Sequence, residues 1–227
     1  MPEIILALDL PGREARRLLD RLPALRWVKV GPVLFTREGP GLVRELVERG
    51  LRVFLDLKWH DIPRTVAGAV EAARELGVAM ATVHTLGGAA MLEAAARAGG
   101  ASLGLLGVTV LTSHSPESYG AAVGRTPIEL EGEVVRLARL AVGAGLPGVV
   151  CSSHEAGPVR RAIGPGRWIV VPGIRRPGDR AGDQRRTATP AEAVRSGATH
   201  LVVGRPILEA PDPGAVLAEL KAAIRGG

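Results

Sequence analysis

The sequence contains no asparagine, a single glutamine (Gln184), a single cysteine (Cys151) and only three lysines (Lys29, Lys58 and Lys221). One cysteine excludes an internal disulfide and fits a reducing compartment, so a cytoplasmic location is expected. No apolar run reaches the roughly 18 residues that a membrane helix needs. Met1-Pro2-Glu3 leads directly into Ile4-Ile5-Leu6-Ala7-Leu8 with no basic segment, which reads as a buried first strand and not as a secretory signal. Scarce amides suit a thermophilic source. Aromatic residues are 3% of the chain, and the arginines are spread along it without a long basic run. The formal charge of +6 therefore points away from nucleic acid and towards a phosphorylated, carboxylated metabolite.

The shortage of lysine carries the most information. Of 29 basic residues, 26 are arginine, so this sequence uses arginine wherever any cation will serve. A retained lysine points to work that arginine cannot do, above all releasing a proton near neutral pH.

What is present describes an α/β protein. Hydrophobic residues make up 46% of 227, with 30 glycines and 17 prolines, enough for one barrel-sized domain over residues 1–227. Nearly continuous apolar, β-branched runs mark strands at 3–9, 26–30, 51–57, 79–83, 103–110, 147–151, 168–172 and 199–203. Helical periodicity occupies 36–49, 64–76, 88–98, 129–143, 154–163, 189–196 and 212–225. Eight strands alternating with helices predict a (β/α)₈ barrel. An open doubly wound sheet would want a glycine-rich fingerprint after the first strand, and Asp9-Leu10-Pro11-Gly12-Arg13 is not one. Residues 173–188 read as a long polar loop, a length that is usually functional or disordered.

In such a barrel the chemistry sits at the C-terminal strand ends. The third strand ends Asp56-Leu57-Lys58-Trp59-His60-Asp61, and strand periodicity puts Asp56 and Lys58 on one side. Lys29, at the end of the second strand, can join them in an alternating acid–base array. A structural ion-pair network on the barrel rim would look similar, but it would not require lysine in an arginine-rich chain. A second constellation runs from Pro172-Gly173-Ile174-Arg175 through Gly182-Asp183-Gln184-Arg185-Arg186 to Gly204-Arg205. The loops after strands seven and eight are the usual phosphate site of this fold, and arginine forks match phosphate oxygens; a solvated basic loop is the alternative. Thr109-Val110-Leu111-Thr112-Ser113 places hydroxyls where they could read a heterocycle or merely cap a turn. The five histidines show no metal-ligand spacing and read as structural, and Cys151 reads as core.

Together these motifs resemble orotidine 5′-phosphate decarboxylases of the bacterial type. The matching segments are Ala7-Leu8-Asp9, Val28-Lys29-Val30-Gly31, Asp56 to Thr65, Gly107 to Ser113, Pro172 to Arg175 with Gly182 to Arg186, and Val203 to Ile207. They run in the family's order over almost the whole chain. The resemblance implies a cofactor-free, metal-free decarboxylase of orotidine 5′-monophosphate. It implies that Asp9 and Lys29 bind the ribose hydroxyls, that Asp56 sits against the substrate carboxylate, and that Lys58 protonates C6. It further implies that Asp61 and Thr65 reach the partner's site in a homodimer, that Thr112 contacts the base and Pro172 borders it, and that Arg175, Gln184, Gly204 and Arg205 hold the phosphate. Trp59 and Arg64 depart from the usual Phe and Asn between key positions. A related barrel group acting on sugar phosphates through a Mg²⁺-bound enediolate shares the Asp-x-Lys-x-x-Asp spacing, but it places an acid where this chain has Lys29.

Overall fold

The computed structural model describes residues 1–176, 179 and 186–225. Eight strands pair in parallel, each with its neighbours in sequence, and the last closes on the first. They are β1 (Glu3–Ala7), β2 (Trp27–Val30), β3 (Arg52–Trp59), β4 (Met80–His84), β5 (Gly104–Val108), β6 (Gly148–Val150), β7 (Trp168–Val171) and β8 (His200–Val203). The surrounding helices are α1 (Gly12–Asp20), α2 (Pro32–Glu48), α3 (Pro63–Glu75), α4 (Gly88–Gly99), α5 (Pro116–Val123), α6 (Leu130–Gly143), α7 (Ser153–Ile163), α8 (Pro190–Arg195), α9 (Arg205–Leu208) and α10 (Pro213–Ala223). This is the (β/α)₈ barrel that the alternation of strand and helix patterns predicts.

Strand alternation divides the apolar residues into two cores. One lies between sheet and helices. The other fills the barrel itself with Ile5, Ala7, Trp27, Phe54, Met80, Leu106, Val170 and Val202. At its lower end Trp168 occupies the space left by two glycines. A Cβ on Gly104 would lie 2.1 Å from Trp168 Cζ3, and one on Gly148 would lie 2.6 Å from Trp168 Cβ. His200 packs between Trp27 and Trp168, with ring centroids 5.3 Å from each. The barrel is therefore plugged from below, and Asp9, Lys29, Asp56 and Lys58 lie at the upper, C-terminal mouth.

Several elements differ from the sequence reading. Strand β3 runs on to Trp59, past the expected end at residue 57, because its register against β4 shifts between Leu55 and Trp59. Helix α2 begins at Pro32, four residues before the expected 36–49, and is broken inside that range where Gly39 takes φ 66 before Pro40. The sequence periodicity predicts no helix where α1, α5 and α9 form. The long loop after β7 begins and ends in a paired stretch, since Ile174 bridges Ala188. Gly182, Asp183, Gln184 and Arg185, which belong to the expected phosphate constellation, lie outside the described residues.

Candidate active site

A cavity of about 620 Å³ opens at the C-terminal mouth. Its floor is the top of the barrel core, including Phe54, Val108, Val150 and Val202. On one side β1, β2 and β3 deliver Asp9, Lys29, Asp56 and Lys58. The register explains their meeting: Ala7 lies opposite Lys29, and Lys29 opposite Phe54, so inward positions two residues further along β1 and β3 rise to the same level.

Asp56 is the centre of this group. One carboxylate oxygen accepts from Lys58 Nζ at 2.9 Å and from Thr82 Oγ1 at 3.1 Å. The other lies 3.7 Å from Lys29 Nζ, which is also 3.5 Å from Asp9 Oδ1. Opposite unit charges about 4 Å apart attract by about 4 kcal/mol at an effective dielectric near 20. Desolvating each ion costs several kcal/mol, so such an array is a poor stabiliser of the fold and a ready electrostatic device. Lys29 and Asp56 are the more enclosed members, with side chains 12% and 13% exposed, whereas Lys58 is 33% exposed towards the cavity.

Lys58 reaches Asp56 by an unusual backbone route. Among the described residues it is the one non-glycine with positive φ, at 52°. Holding a side-chain-bearing residue there costs about 1–3 kcal/mol and persists only where the surroundings enforce it. Thr82 provides the enforcement: its hydroxyl accepts from the Lys58 backbone N–H at 2.9 Å while donating to Asp56. The simple two-residue periodicity expected for Asp56 and Lys58 therefore gives the right partners by an incomplete route. Thr82 escaped the sequence reading because a threonine inside Met80-Ala81-Thr82-Val83-His84 looks like any β-branched strand residue.

The ends of β7 and β8 bring Pro172, Gly173, Arg175, Gly204 and Arg205 into the same cavity. Because β8 pairs with β1, Gly204 sits beside Asp9, and a Cβ on it would lie 3.9 Å from Asp9 Oδ2. Arg175 is buried, and its guanidinium donates to the carbonyl of Ile174 at 2.8 Å. Leu111, Thr112 and Ser113, after β5, line the cavity as well. Thr109, from the same hydroxyl-bearing stretch, turns away and donates to the Val150 carbonyl at 2.9 Å. Of the expected site residues, Asp9, Lys29, Asp56, Lys58, Thr112, Pro172, Arg175, Gly204 and Arg205 thus line one cavity. Asp61 and Thr65 do not: both are exposed at the start of α3, where Asp61 Oδ1 accepts from Ile62 N–H at 2.6 Å. Gln184 lies outside the described residues.

Two further groups near the mouth, His84 and Cys151, are held in their neutral forms. His84 stacks on His60 at 5.5 Å, and its Nδ1 accepts from Leu86 N–H at 3.3 Å. Burial, with His60 and Lys58 close by, pushes its pKa down to about 4, so the ring is neutral near pH 7. Cys151 lines the cavity wall but is buried, and burial raises its thiol pKa, which keeps it in the unreactive form. Among the described residues no three His, Cys, Asp or Glu side chains are grouped to hold a metal ion. No helix among them is long and apolar enough to cross a membrane.

Comparison with known proteins gives the same fold and much closer kinship. The chain is 50% identical over 223 residues to an orotidine 5′-phosphate decarboxylase of Anaeromyxobacter sp. (strain K), covering 97% of each chain. It is 52% identical over 231 residues to that of Halorhodospira halophila, covering 98% of this chain and 96% of the relative. The crystal structure of orotidine 5′-phosphate decarboxylase from Lactobacillus acidophilus superposes with a TM-score of 0.87 at 35% identity, covering 99% of both chains. The sequence model of the orotidine 5′-phosphate decarboxylase / HUMPS family matches residues 2–220, and the chain belongs to that family.

Proposed function

We propose that this protein decarboxylates orotidine 5′-monophosphate to UMP in pyrimidine biosynthesis, with Lys58 protonating C6 of the pyrimidine. The observation that carries this reading is the placement of Lys58 Nζ, 2.9 Å from Asp56, in one cavity with Arg175 and Arg205 from the ends of β7 and β8. A nucleotide whose phosphate meets the arginines directs its base towards the lysine.

The chemistry follows from that placement. Breaking the C6–carboxylate bond releases CO₂ and leaves an electron pair in an in-plane orbital that the ring π-system cannot delocalise. The Lys58 ammonium stabilises that charge and then transfers its proton to C6, giving UMP; the neutral amine regains a proton from water. Asp56 holds the ammonium and faces the substrate carboxylate. Lys29 and Asp9 bind the ribose hydroxyls, Thr112 reads the base, and Pro172 borders it. Arg175, Gln184, Gly204 and Arg205 hold the phosphate, whose remote binding energy positions the reacting carbon. None of these steps calls on a metal or cofactor. Lys29, 3.7 Å from Asp56, puts a cation where a metal-assisted enediolate mechanism would need an acid ligand.

The working unit in this reading is an isologous homodimer, with Asp61 and Thr65 contributed to the partner's site. Their exposure beside large apolar residues supports it: Ile62 is 66% exposed and Val33, at the start of α2 on the same rim, 68%. The buried free cysteine suits a cytoplasmic enzyme. The test is the ultraviolet absorbance change on mixing purified protein with orotidine 5′-monophosphate, with and without EDTA. Turnover indifferent to the chelator is expected; no turnover, or loss on chelation, contradicts the proposal.

A further inference from the structure

One buried ion pair has no part in the chemistry above. Arg186 and Glu155 form it with side chains 10% and 7% exposed. Arg186 Nη1 pairs with Glu155, while its Nη2 donates to the backbone carbonyl of Leu111 at 3.0 Å. Glu155, in the first turn of α7, also accepts from the hydroxyl of Ser152, the N-cap of that helix. Two residues beyond Arg186, the Ala188 carbonyl accepts from the Arg175 N–H at 3.0 Å. A single guanidinium thus ties together the chain segments that follow β5, β6 and β7.

Its position between two functional stretches is what matters. Leu111 begins the Leu111-Thr112-Ser113 wall of the cavity, and Arg175 lies on the phosphate side. Replacing a buried ion pair by apolar residues of similar volume is often neutral or stabilising, so stability alone gives little reason for this one. The two-pronged geometry does: arginine's rigid planar fork aims one nitrogen at Glu155 and another at the Leu111 carbonyl, and lysine's single, shorter ammonium does not fix those two directions.

We propose that Arg186 is a positioning residue that fixes the Thr112 wall relative to Arg175, so that the base and the phosphate of one nucleotide are held at the same time. It acts through Leu111 and Glu155 and does not touch substrate. The inference rests on the assignment of Thr112 to the base and Arg175 to the phosphate.

Calorimetric binding of UMP, uridine and ribose 5-phosphate to the parent, Arg186→Lys and the double variant Arg186→Met/Glu155→Leu tests it. The double variant removes both charges together and leaves no unpaired buried ion. In both variants UMP binding should weaken by about tenfold or more, ribose 5-phosphate by less than about twofold, and KM should rise more than kcat falls. UMP affinity within about twofold of the parent in either folded variant overturns the proposal, and so does an equal loss for UMP and ribose 5-phosphate. A parent that binds UMP no more tightly than ribose 5-phosphate overturns the underlying nucleotide assignment instead, and does so before any substitution is made.

Discussion

Lys58 Nζ lies 2.9 Å from Asp56 Oδ1 although the Lys58 backbone has left the strand conformation, with φ at 52°. The ammonium is therefore aimed by backbone strain and by Thr82 as well as by the charge it pairs with. Strain localised on the residue that carries the proposed chemistry argues that this pair serves the site; a simple rim ion pair would form at no such cost.

Thr82 tests this dependence. Thr82→Val keeps the shape and the β-branch but removes the hydroxyl that serves both the Lys58 N–H and Asp56. Leaving a buried donor unmet costs about 1–3 kcal/mol, so thermal stability should fall by that order. Turnover number should fall by more than tenfold while KM changes little, because an ill-held proton donor harms the transition state more than binding (an order-of-magnitude expectation). An unchanged kcat would show that Lys58 needs no such support.

Arg205 tests the phosphate assignment. Arg205→Ala should lower kcat/KM for orotidine 5′-monophosphate by several kcal/mol, as expected of a charged contact whose energy is used in the transition state. The nucleoside orotidine should be a poor substrate of the parent and almost indifferent to the substitution. Equal penalties on the two substrates would remove Arg205 from the phosphate site.

The acid side of the stability profile should carry the signature of His200. Burial, with Arg52 nearby, lowers its pKa from 6.5 to about 4, so the fold favours the neutral ring. Unfolding then takes up a proton below pH 6.5, and stability falls as pH drops through that value and levels off below about 4. A shift of this size corresponds to about 3 kcal/mol. His84, shifted in the same direction, adds to the loss. His200→Gln should flatten the fall in denaturation free energy between pH 6.5 and 4; a parallel profile for the variant would rule His200 out as its source.

The dimer has its own test. Lys58→Ala and Asp61→Ala should each be severely impaired alone. In a mixed dimer one site carries both defects and the other neither, so random reassortment of equal amounts should restore about a quarter of the sites. No recovery despite demonstrated heterodimers would assign Asp61 to its own chain.

The sequence made the barrel legible because each strand is buried on both faces and so reads as an unbroken apolar run. Helices α1 and α5 were hidden for local reasons. Gly12-Arg13-Glu14-Ala15-Arg16-Arg17 looks like solvated loop, and α5 has only eight residues, started by a Ser115–Ser118 capping box within a polar stretch. Most of the candidate site was visible at strand ends, with Lys29 and Lys58 picked out by their rarity. The bulge at Lys58 was not visible, since no glycine marks its positive φ. Nor was the partner of Arg186: that side chain sits among loop arginines in sequence and reaches Glu155 across the fold.

The most direct measurement is the turnover of Lys58→Arg at saturating orotidine 5′-monophosphate, with Lys58→Ala and a folded-state check alongside. Arginine keeps the positive charge beside Asp56 but cannot release a proton near neutral pH. If Lys58 protonates C6, the arginine variant should be folded, should bind UMP, and should be almost as inactive as the alanine variant. Turnover within about tenfold of the parent would contradict that role and leave Lys58 as a charge partner only.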